Sequence, residues 1–288
     1  MEQPDRPPMI VEEGVVVANR PAGTADCYLL SMRSPRIAAR VRAGQFVMVR
    51  LLHRDFPYLG RPFSVADVAP DDPEVLVLAH VVVGEGTRML AEARPGDTVR
   101  SVGPLGNRFA IEPGTEHVFV AGGIGVAPFP LLAREIARID PAARRTCLLG
   151  AAERTGLHLA AELRGLGVDV ETATLDGSEG FRGTVVDLLA TRELRPDTRL
   201  YACGPNPMFA ALARHLEPSG HPCQAALEGH MACGFGACNA CVIPVTDPGD
   251  SEWRYELICL KGPVFELGRI RWDSAGLEGI GSEATHSP

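Results

Sequence analysis

The chain of 288 residues is 45% apolar and 22% charged, the balance of a folded globular protein, and its length allows two or three separate cores. A net charge of −8 excludes a general nucleic-acid binder, whose phosphate contacts demand a basic face. No stretch supplies the run of about 18 apolar residues that a membrane span needs, and the opening MEQPDRPPMI lacks the basic-then-apolar order of a signal peptide, so the expectation is a cytoplasmic protein with neither nucleic-acid nor membrane partners.

In chain order, Gly14 to about Ala110 holds short apolar runs at Val15 to Ala18, Phe46 to Leu52, Ser64 to Val68 and Val75 to Val83. Proline and glycine signals at Pro70 to Pro73, Pro95-Gly96 and Pro113-Gly114 punctuate them, which predicts a small antiparallel barrel or sandwich. After Pro113-Gly114 the pattern changes. Strands are expected at His117 to Ala121, Thr146 to Gly150, Val168 to Thr174 and Arg199 to Cys203, alternating with helical spacing at Phe129 to Ile139, Leu157 to Leu166, Thr184 to Leu194 and Pro207 to Leu216. Alternation of this kind implies βαβ units on a parallel sheet.

The predicted fold class is therefore multidomain, β plus α/β: an antiparallel β-barrel over 1–112, a parallel α/β nucleotide-binding domain over 113–216, a small Cys-rich domain over 217–272, and a loose polar tail over 273–288. No internal repeat interrupts this order.

Eight cysteines in a reducing compartment are better suited to metal ligation or burial than to disulfides. In MACGFGACNACV the spacing is Cys233-x4-Cys238-x2-Cys241, and Cys259 follows after seventeen intervening residues, the plant-type arrangement for a [2Fe-2S] cluster. Four thiolates must surround two irons, and Gly234 and Gly236 give the loop a backbone permissive enough for three of them to converge. The competing reading is a structural zinc site, which more often uses two Cys-x2-Cys knuckles, whereas only one is present. Cys27, Cys147 and Cys223 stand alone and read as buried thiols. Cys203 ends a predicted strand just before Gly204-Pro205, where both a nucleotide contact and plain packing suit it.

Three motifs in the β-rich region suit a phosphorylated cofactor: Arg61-Pro62-Phe63-Ser64, Gly84-Glu85-Gly86-Thr87 and Gly103-Pro104-Leu105-Gly106-Asn107. A guanidinium pairs with pyrophosphate, a serine hydroxyl bonds a flavin ring, and backbone amides cradle phosphate. Alone, each also fits a surface arginine or an ordinary turn. Ala121-Gly122-Gly123-Ile124-Gly125-Val126-Ala127-Pro128 follows an apolar strand and precedes a helix, the position at which glycines bring backbone amides to a dinucleotide, although it departs from GxGxxG. Glu153, beyond the second strand, favours a free ribose 2′-hydroxyl while Arg154 equally meets a 2′-phosphate, so NAD and NADP both remain open. The histidines, His80, His117 and His230 among them, show no ligand spacing and read as surface or satisfied core residues.

Together RPFS, GEGT, GGIGVAP, the strand-terminal Cys203-Gly204-Pro205 and a Cys-rich C-terminal segment resemble the ferredoxin-NADP reductase superfamily. Leu227 to Cys238, reading LEGHMACGFGAC, and Cys259 to Phe265, reading CLKGPVF, narrow the resemblance to the electron-transfer subunits of class 1B, NAD-dependent dihydroorotate dehydrogenases, over about residues 10 to 272. That resemblance implies one FAD, one [2Fe-2S] cluster and an NAD(H) site in this chain. It places FMN and the dihydroorotate site in a separate catalytic subunit, implies a heterotetramer of two plus two subunits, and assigns the pair to pyrimidine biosynthesis. By match, Arg61, Pro62, Phe63, Ser64, the strand residues Ala79, His80 and Val81, and Gly86-Thr87 hold FAD, while Gly122, Gly123, Gly125, Cys203 and Gly204 face the nucleotide and Cys233, Cys238, Cys241 and Cys259 hold iron. Two departures from the family pattern, His230 and a long segment between Cys241 and Cys259, bear on partner identity.

The chemistry is coherent without the family name. NAD exchanges a hydride, a [2Fe-2S] cluster passes single electrons, and a flavin converts between the two, so the protein supplies binding, orientation and potential tuning and needs no acid–base residue of its own. The alternatives are an NAD(P)H-dependent reductase serving an oxygenase or another redox partner, and a redox sensor or zinc-stapled interaction module that neither binds flavin nor oxidises NADH.

Overall fold

The computed structural model describes residues 8–23, 26–52, 58–247 and 249–272; the expectation of a loose tail at 273–288 lies outside them. The first unit is a closed six-stranded antiparallel barrel. Its elements are β1 (Ile10–Pro21), β2 (Cys27–Arg33), the short α1 (Pro35–Ala38), β3 (Phe46–Leu51), β4 (Arg61–Val68), β5 (Val75–Val81), α2 (Glu85–Ala91) and β6 (Thr98–Leu105), joined in the order β1-β2-β5-β4-β3-β6 and closed by the pairing of β1 with β6. Closure follows from the period-two pattern. Leu30, Met32, Leu76, Leu78, Val47, Val49, Val65 and Val99 all point inward and are buried, so each strand spends one face on the barrel core. At β4 a bulge between Val65 and Asp67 shifts the register against β5.

The second unit contains β7 (Glu116–Gly122), α3 (Phe129–Ile139), β8 (Arg144–Ala151), α4 (Ala160–Gly165), β9 (Asp169–Thr174), β10 (Phe181–Arg182), α5 (Val185–Ala190), β11 (Arg199–Cys203), α6 (Asn206–Leu216) and β12 (Cys223–Ala226). These strands are parallel, as the alternation predicts. α3 buries Phe129, Leu132, Ala133 and Ile136 along one stripe, and a Thr184–Asp187 capping box starts α5.

The last segment holds a hairpin of β13 (Val242–Thr246) and β14 (Trp253–Leu257), then α7 (Ile258–Lys261) and β15 (Val264–Glu266). β15 pairs antiparallel with β12, giving a seven-stranded sheet in the order β10-β9-β8-β7-β11-β12-β15. The sheet thus continues into residues read from sequence as the Cys-rich domain. Cys223–Ala226 has too little strand propensity to announce itself, and its pairing with β11 is tertiary. Among the described residues no helix is long and apolar enough to cross a membrane.

Candidate functional site

The four predicted iron ligands come together as two pairs. Hydrogen bonding links the Cys233 and Cys238 thiols, and likewise those of Cys241 and Cys259, and the Cys259 N–H also reaches Cys241 Sγ at 3.4 Å. Among the described residues no three His, Cys, Asp or Glu side chains close on a single metal ion. A two-iron cluster asks for two thiolates on each iron, which is this arrangement, whereas one zinc needs all four around one point.

Backbone donors favour the ionised forms. Burial opposes ionisation of Cys233, but the N–H groups of Phe235 and Cys238, with the Cys238 thiol, bring it down to about 7. The hydrogen bond from Cys259 brings Cys241 down to about 6, and the same partnership pushes Cys259 up, since two adjacent thiolates repel. The loop supplies these donors because Gly234 and Gly236 adopt φ of +81° and +87°. Cys241 and Cys259 are buried, and Cys238 is the exposed member. The segment between Cys241 and Cys259, long for a loop, is the β13–β14 hairpin; an ion cluster of Asp247, Arg254, Glu256 and Arg269 braces it.

The cluster loop rests on the barrel. A Cβ on Gly234 would stand 2.6 Å from Met48 Cγ and 3.2 Å from Leu105 Cδ1, so the loop backbone lies directly on β3 and β6. Met48 turns away from the barrel interior and pairs in register with Pro62 of the Arg61–Ser64 motif. The flavin motif and the cluster loop are therefore separated by one strand and one side chain.

Around that motif, Arg61 to Ser64 line the half-exposed start of β4, and Arg61 Nη1 donates to the Leu59 carbonyl at 3.0 Å. On β5, Ala79 and His80 are buried and Val81 is half-buried. His80 stacks on Tyr28 at 5.7 Å and tilts against Phe63 at 5.8 Å. It departs from the expectation of a surface or satisfied core histidine: it is 2% exposed, yet neither ring nitrogen has a partner in good hydrogen-bond geometry. Burial lowers its pKa to about 4, keeping the imidazole neutral. Gly86 and Thr87 form the first turn of α2. The Thr87 hydroxyl accepts the Val83 and Gly84 N–H groups at 2.9 and 3.1 Å, which leaves backbone amides rather than the hydroxyl for a phosphate. Orphaned imidazole nitrogens, a half-exposed arginine and first-turn amides suit FAD.

The nucleotide residues converge where the strand order of the sheet reverses. β8 and β9 extend to one side of β7, and β11 and β12 to the other, so the carboxyl ends of β7 and β11 flank the switch-point crevice. Gly122 and Gly123 end β7 and begin a tight 3-10 turn over Gly123–Val126. Gly123 has φ of +55° and a Cβ there would meet nothing within 4 Å, so its backbone faces open space that a dinucleotide can enter. Gly125 is needed for packing, because a Cβ would stand 2.4 Å from the Cys203 carbonyl oxygen; a Cβ on Gly204 would meet Met208. Cys203 is 1% exposed and burial raises its thiol pKa, so its side chain belongs to the core while its backbone borders the crevice. Cys27, Cys147 and Cys223 are buried, as expected.

Residues 228–271 match the model of the iron-sulfur cluster binding domain of dihydroorotate dehydrogenase B. Over 265 residues, 91% of this chain and 99% of the other, the chain is 36% identical to the dihydroorotate dehydrogenase B (NAD(+)) electron transfer subunit of Bacillus caldolyticus. It is 35% identical over 248 residues to the subunit of the same name from Desulforamulus reducens, covering 85% of this chain and 93% of the other. The chain belongs to this family of electron transfer subunits. Among solved structures it is similar to an NADH-dependent reduced ferredoxin-NADP oxidoreductase studied for flavin-based electron bifurcation, with 28% identity, a TM-score of 0.78, and coverage of 92% of this chain and 91% of the other.

Seen as a family member, the chain puts its glycine motifs to different uses. Gly103 to Asn107, expected near a cofactor phosphate, docks the barrel onto the Cys-rich segment: Asn107 Nδ2 donates to the Lys261 and Val264 carbonyls at 3.1 and 2.7 Å, and its N–H donates to the Gly262 carbonyl at 2.7 Å. His230 is exposed beside the cluster loop. Sequence reasoning missed Met48 and the contacts of α3 with the barrel, and it set Asn107 near a phosphate rather than against the Cys-rich segment. A methionine in a strand or an asparagine after a turn carries no local signal of what it touches 150 or more residues away.

Proposed function

We propose that this chain carries FAD, a [2Fe-2S] cluster and NAD(H), and passes electrons between a dihydroorotate-oxidising catalytic subunit and NAD+. Bound there, FAD would supply the hydride exchange with the nicotinamide and the single-electron exchange with the cluster. The protein's part is placement. Arg61 to Ser64, Ala79, His80, Val81, Gly86 and Thr87 hold the flavin. Gly122, Gly123, Gly125, Cys203 and Gly204 shape the nucleotide crevice, and Cys233, Cys238, Cys241 and Cys259 hold the iron. The sheet pairing favours assigning β12 and β15 to the nucleotide domain and 228–261 to the cluster unit.

The observation that carries this reading is the contact of Gly234 with Met48, one strand from Pro62, which brings cluster loop and flavin motif within the short separation single-electron transfer requires. Cys238 is exposed, giving the cluster an edge toward a partner. That partner is an FMN-containing catalytic subunit, joined in a heterotetramer of two plus two.

A second reading, a reductase serving a different redox partner, draws on the likeness to the NADH-dependent reduced ferredoxin-NADP oxidoreductase. The test is an anaerobic NADH titration of the purified chain with flavin, iron, sulfide and zinc assayed. Bleaching of flavin bands and of a broad iron-sulfur shoulder supports electron transfer in either reading; stoichiometric zinc without flavin rejects both. Coupling to dihydroorotate then separates the two.

A further inference from the structure

Helix α3 leaves the glycine turn of the nucleotide crevice and carries two consecutive charged residues, both of which reach across to the barrel. Arg134 Nε donates to Asp67 Oδ2 at 2.7 Å, and Glu135 Oε1 accepts the Ala43 N–H at 3.3 Å. Asp67 stands at the bulge of β4, the strand that begins with Arg61-Pro62-Phe63-Ser64, and its side chain is only 15% exposed. Three residues along a strand place it about 10 Å from Ser64. Arg134, five residues into the helix from Phe129, is about 7.5 Å from the helix start.

Apolar packing joins α3 and the barrel in one core, with Val65 and Ala66 buried alongside Phe129 and Leu132, but it leaves a gap beside the ion pair. A cavity of about 350 Å³ opens beside the pair between the barrel and helices α3 and α4, bordered by Ala66, Asp67, Pro130, Arg134 and Leu166. The other ion pair across it, Arg20 with Glu162 at 3.5 Å, has an arginine 59% exposed and contributes little. At this gap the half-buried charge-assisted hydrogen bond, together with the Glu135–Ala43 bond, holds helix to strand.

We propose that the Asp67–Arg134 pair is a positioning device that sets how closely the nicotinamide, held at the turn before α3, approaches the flavin held by β4. This rests on the nucleotide and flavin reading above. Neither residue belongs to the set assigned above to either cofactor, so the pair's loss slows the hydride exchange between NADH and FAD without weakening the binding of either.

The test uses the holoprotein with Arg134→Gln, Arg134→Lys and the double variant Asp67→Asn/Arg134→Gln, which leaves no lone buried charge. FAD and iron content, NADH affinity, the flavin–nicotinamide charge-transfer band and single-turnover flavin reduction are measured. With both FAD and iron retained and NADH affinity within about twofold of the parent, Arg134→Gln and the double variant should lose the charge-transfer band and reduce flavin about tenfold more slowly. Arg134→Lys, which keeps the charge without the guanidinium geometry, should recover part of the rate. An unchanged rate in the double variant, or a loss that only tracks missing FAD or weaker NADH binding, would overturn the proposal. Should Arg134→Gln fail to fold, the double variant decides. Failure of NADH to bleach the parent protein would instead overturn the nucleotide reading, and the proposal with it.

Discussion

Asn107 and Val264 exchange two hydrogen bonds, Asn107 Nδ2 donating to the Val264 carbonyl at 2.7 Å and the Val264 N–H donating to Asn107 Oδ1 at 2.9 Å. One asparagine at the end of the barrel thus fixes the strand that follows Cys259 and, on the proposed assignment, sets the place of the cluster relative to β4.

Replacing Asn107 with Ala removes these two bonds and the one to the Lys261 carbonyl, and leaves half-buried backbone groups without those partners, at a cost of about 1–3 kcal/mol. FAD content should stay near that of the parent while iron is lost at a lower temperature. Iron release followed against temperature beside flavin fluorescence checks this; simultaneous loss of both cofactors at the parent's temperature would contradict it.

Gly234→Ala meets two obstacles, a φ of +81° and the Met48 side chain. The backbone term is about 1–2 kcal/mol. Met48 is flexible, so the double variant Met48→Ala/Gly234→Ala should recover the steric share and leave the backbone share. Denaturant midpoints of Gly234→Ala, Met48→Ala and the double variant separate the terms, and losses that simply add in the double variant would show that Met48 is not the obstacle.

Cys238→Ser takes one ligand from the exposed end of the pair with Cys233. NADH-driven dye reduction, which needs only flavin, should persist, while electron passage between the partner and NAD+ falls by orders of magnitude. Passage that survives verified cluster loss would remove the cluster from the path.

His80 gives stability a pH dependence of definite sign. Burial holds its folded-state pKa at about 4, below the ordinary 6.5, so the unfolded chain takes up the proton first as pH falls. Stability from this group is complete above about 6.5 and is lost between there and about 4. Burial shifts His117 and His158 in the same direction, so the readout is a difference: His80→Phe should flatten the denaturant midpoint across this window. Parallel curves for parent and variant would refute the assignment.

Much of this architecture was legible because its signals are local. Cluster ligation imposes a spacing on neighbouring cysteines, and the change from short apolar runs to alternating strand and helix periods marks the passage from barrel to parallel sheet. Two barrel strands escaped. Thr98–Leu105 ends in Gly103-Pro104-Leu105, which reads as a turn motif, and Cys27–Arg33 lacks flanking turn signals as strong as those around the others. The short strand Cys223–Ala226 and the edge strand Val264–Glu266 are four and three residues long and exist because they pair with a sheet already built. Within the site, the residue types that bind cofactors were visible, but the residues that set distances between cofactors were not. Met48, Asn107, Asp67 and Arg134 act through contacts between elements, and a single sequence records no such pairing.

Electron passage from dihydroorotate to NAD+ through this chain is put to the test by mixing the holoprotein anaerobically with an FMN-containing dihydroorotate dehydrogenase subunit and following the iron-sulfur and flavin absorbance after dihydroorotate is added. Bleaching that requires the partner, and that NAD+ then reverses with formation of NADH, is the predicted result. Bleaching by NADH alone, with no response to dihydroorotate in the presence of an active partner, would contradict the account and leave a reductase of another system.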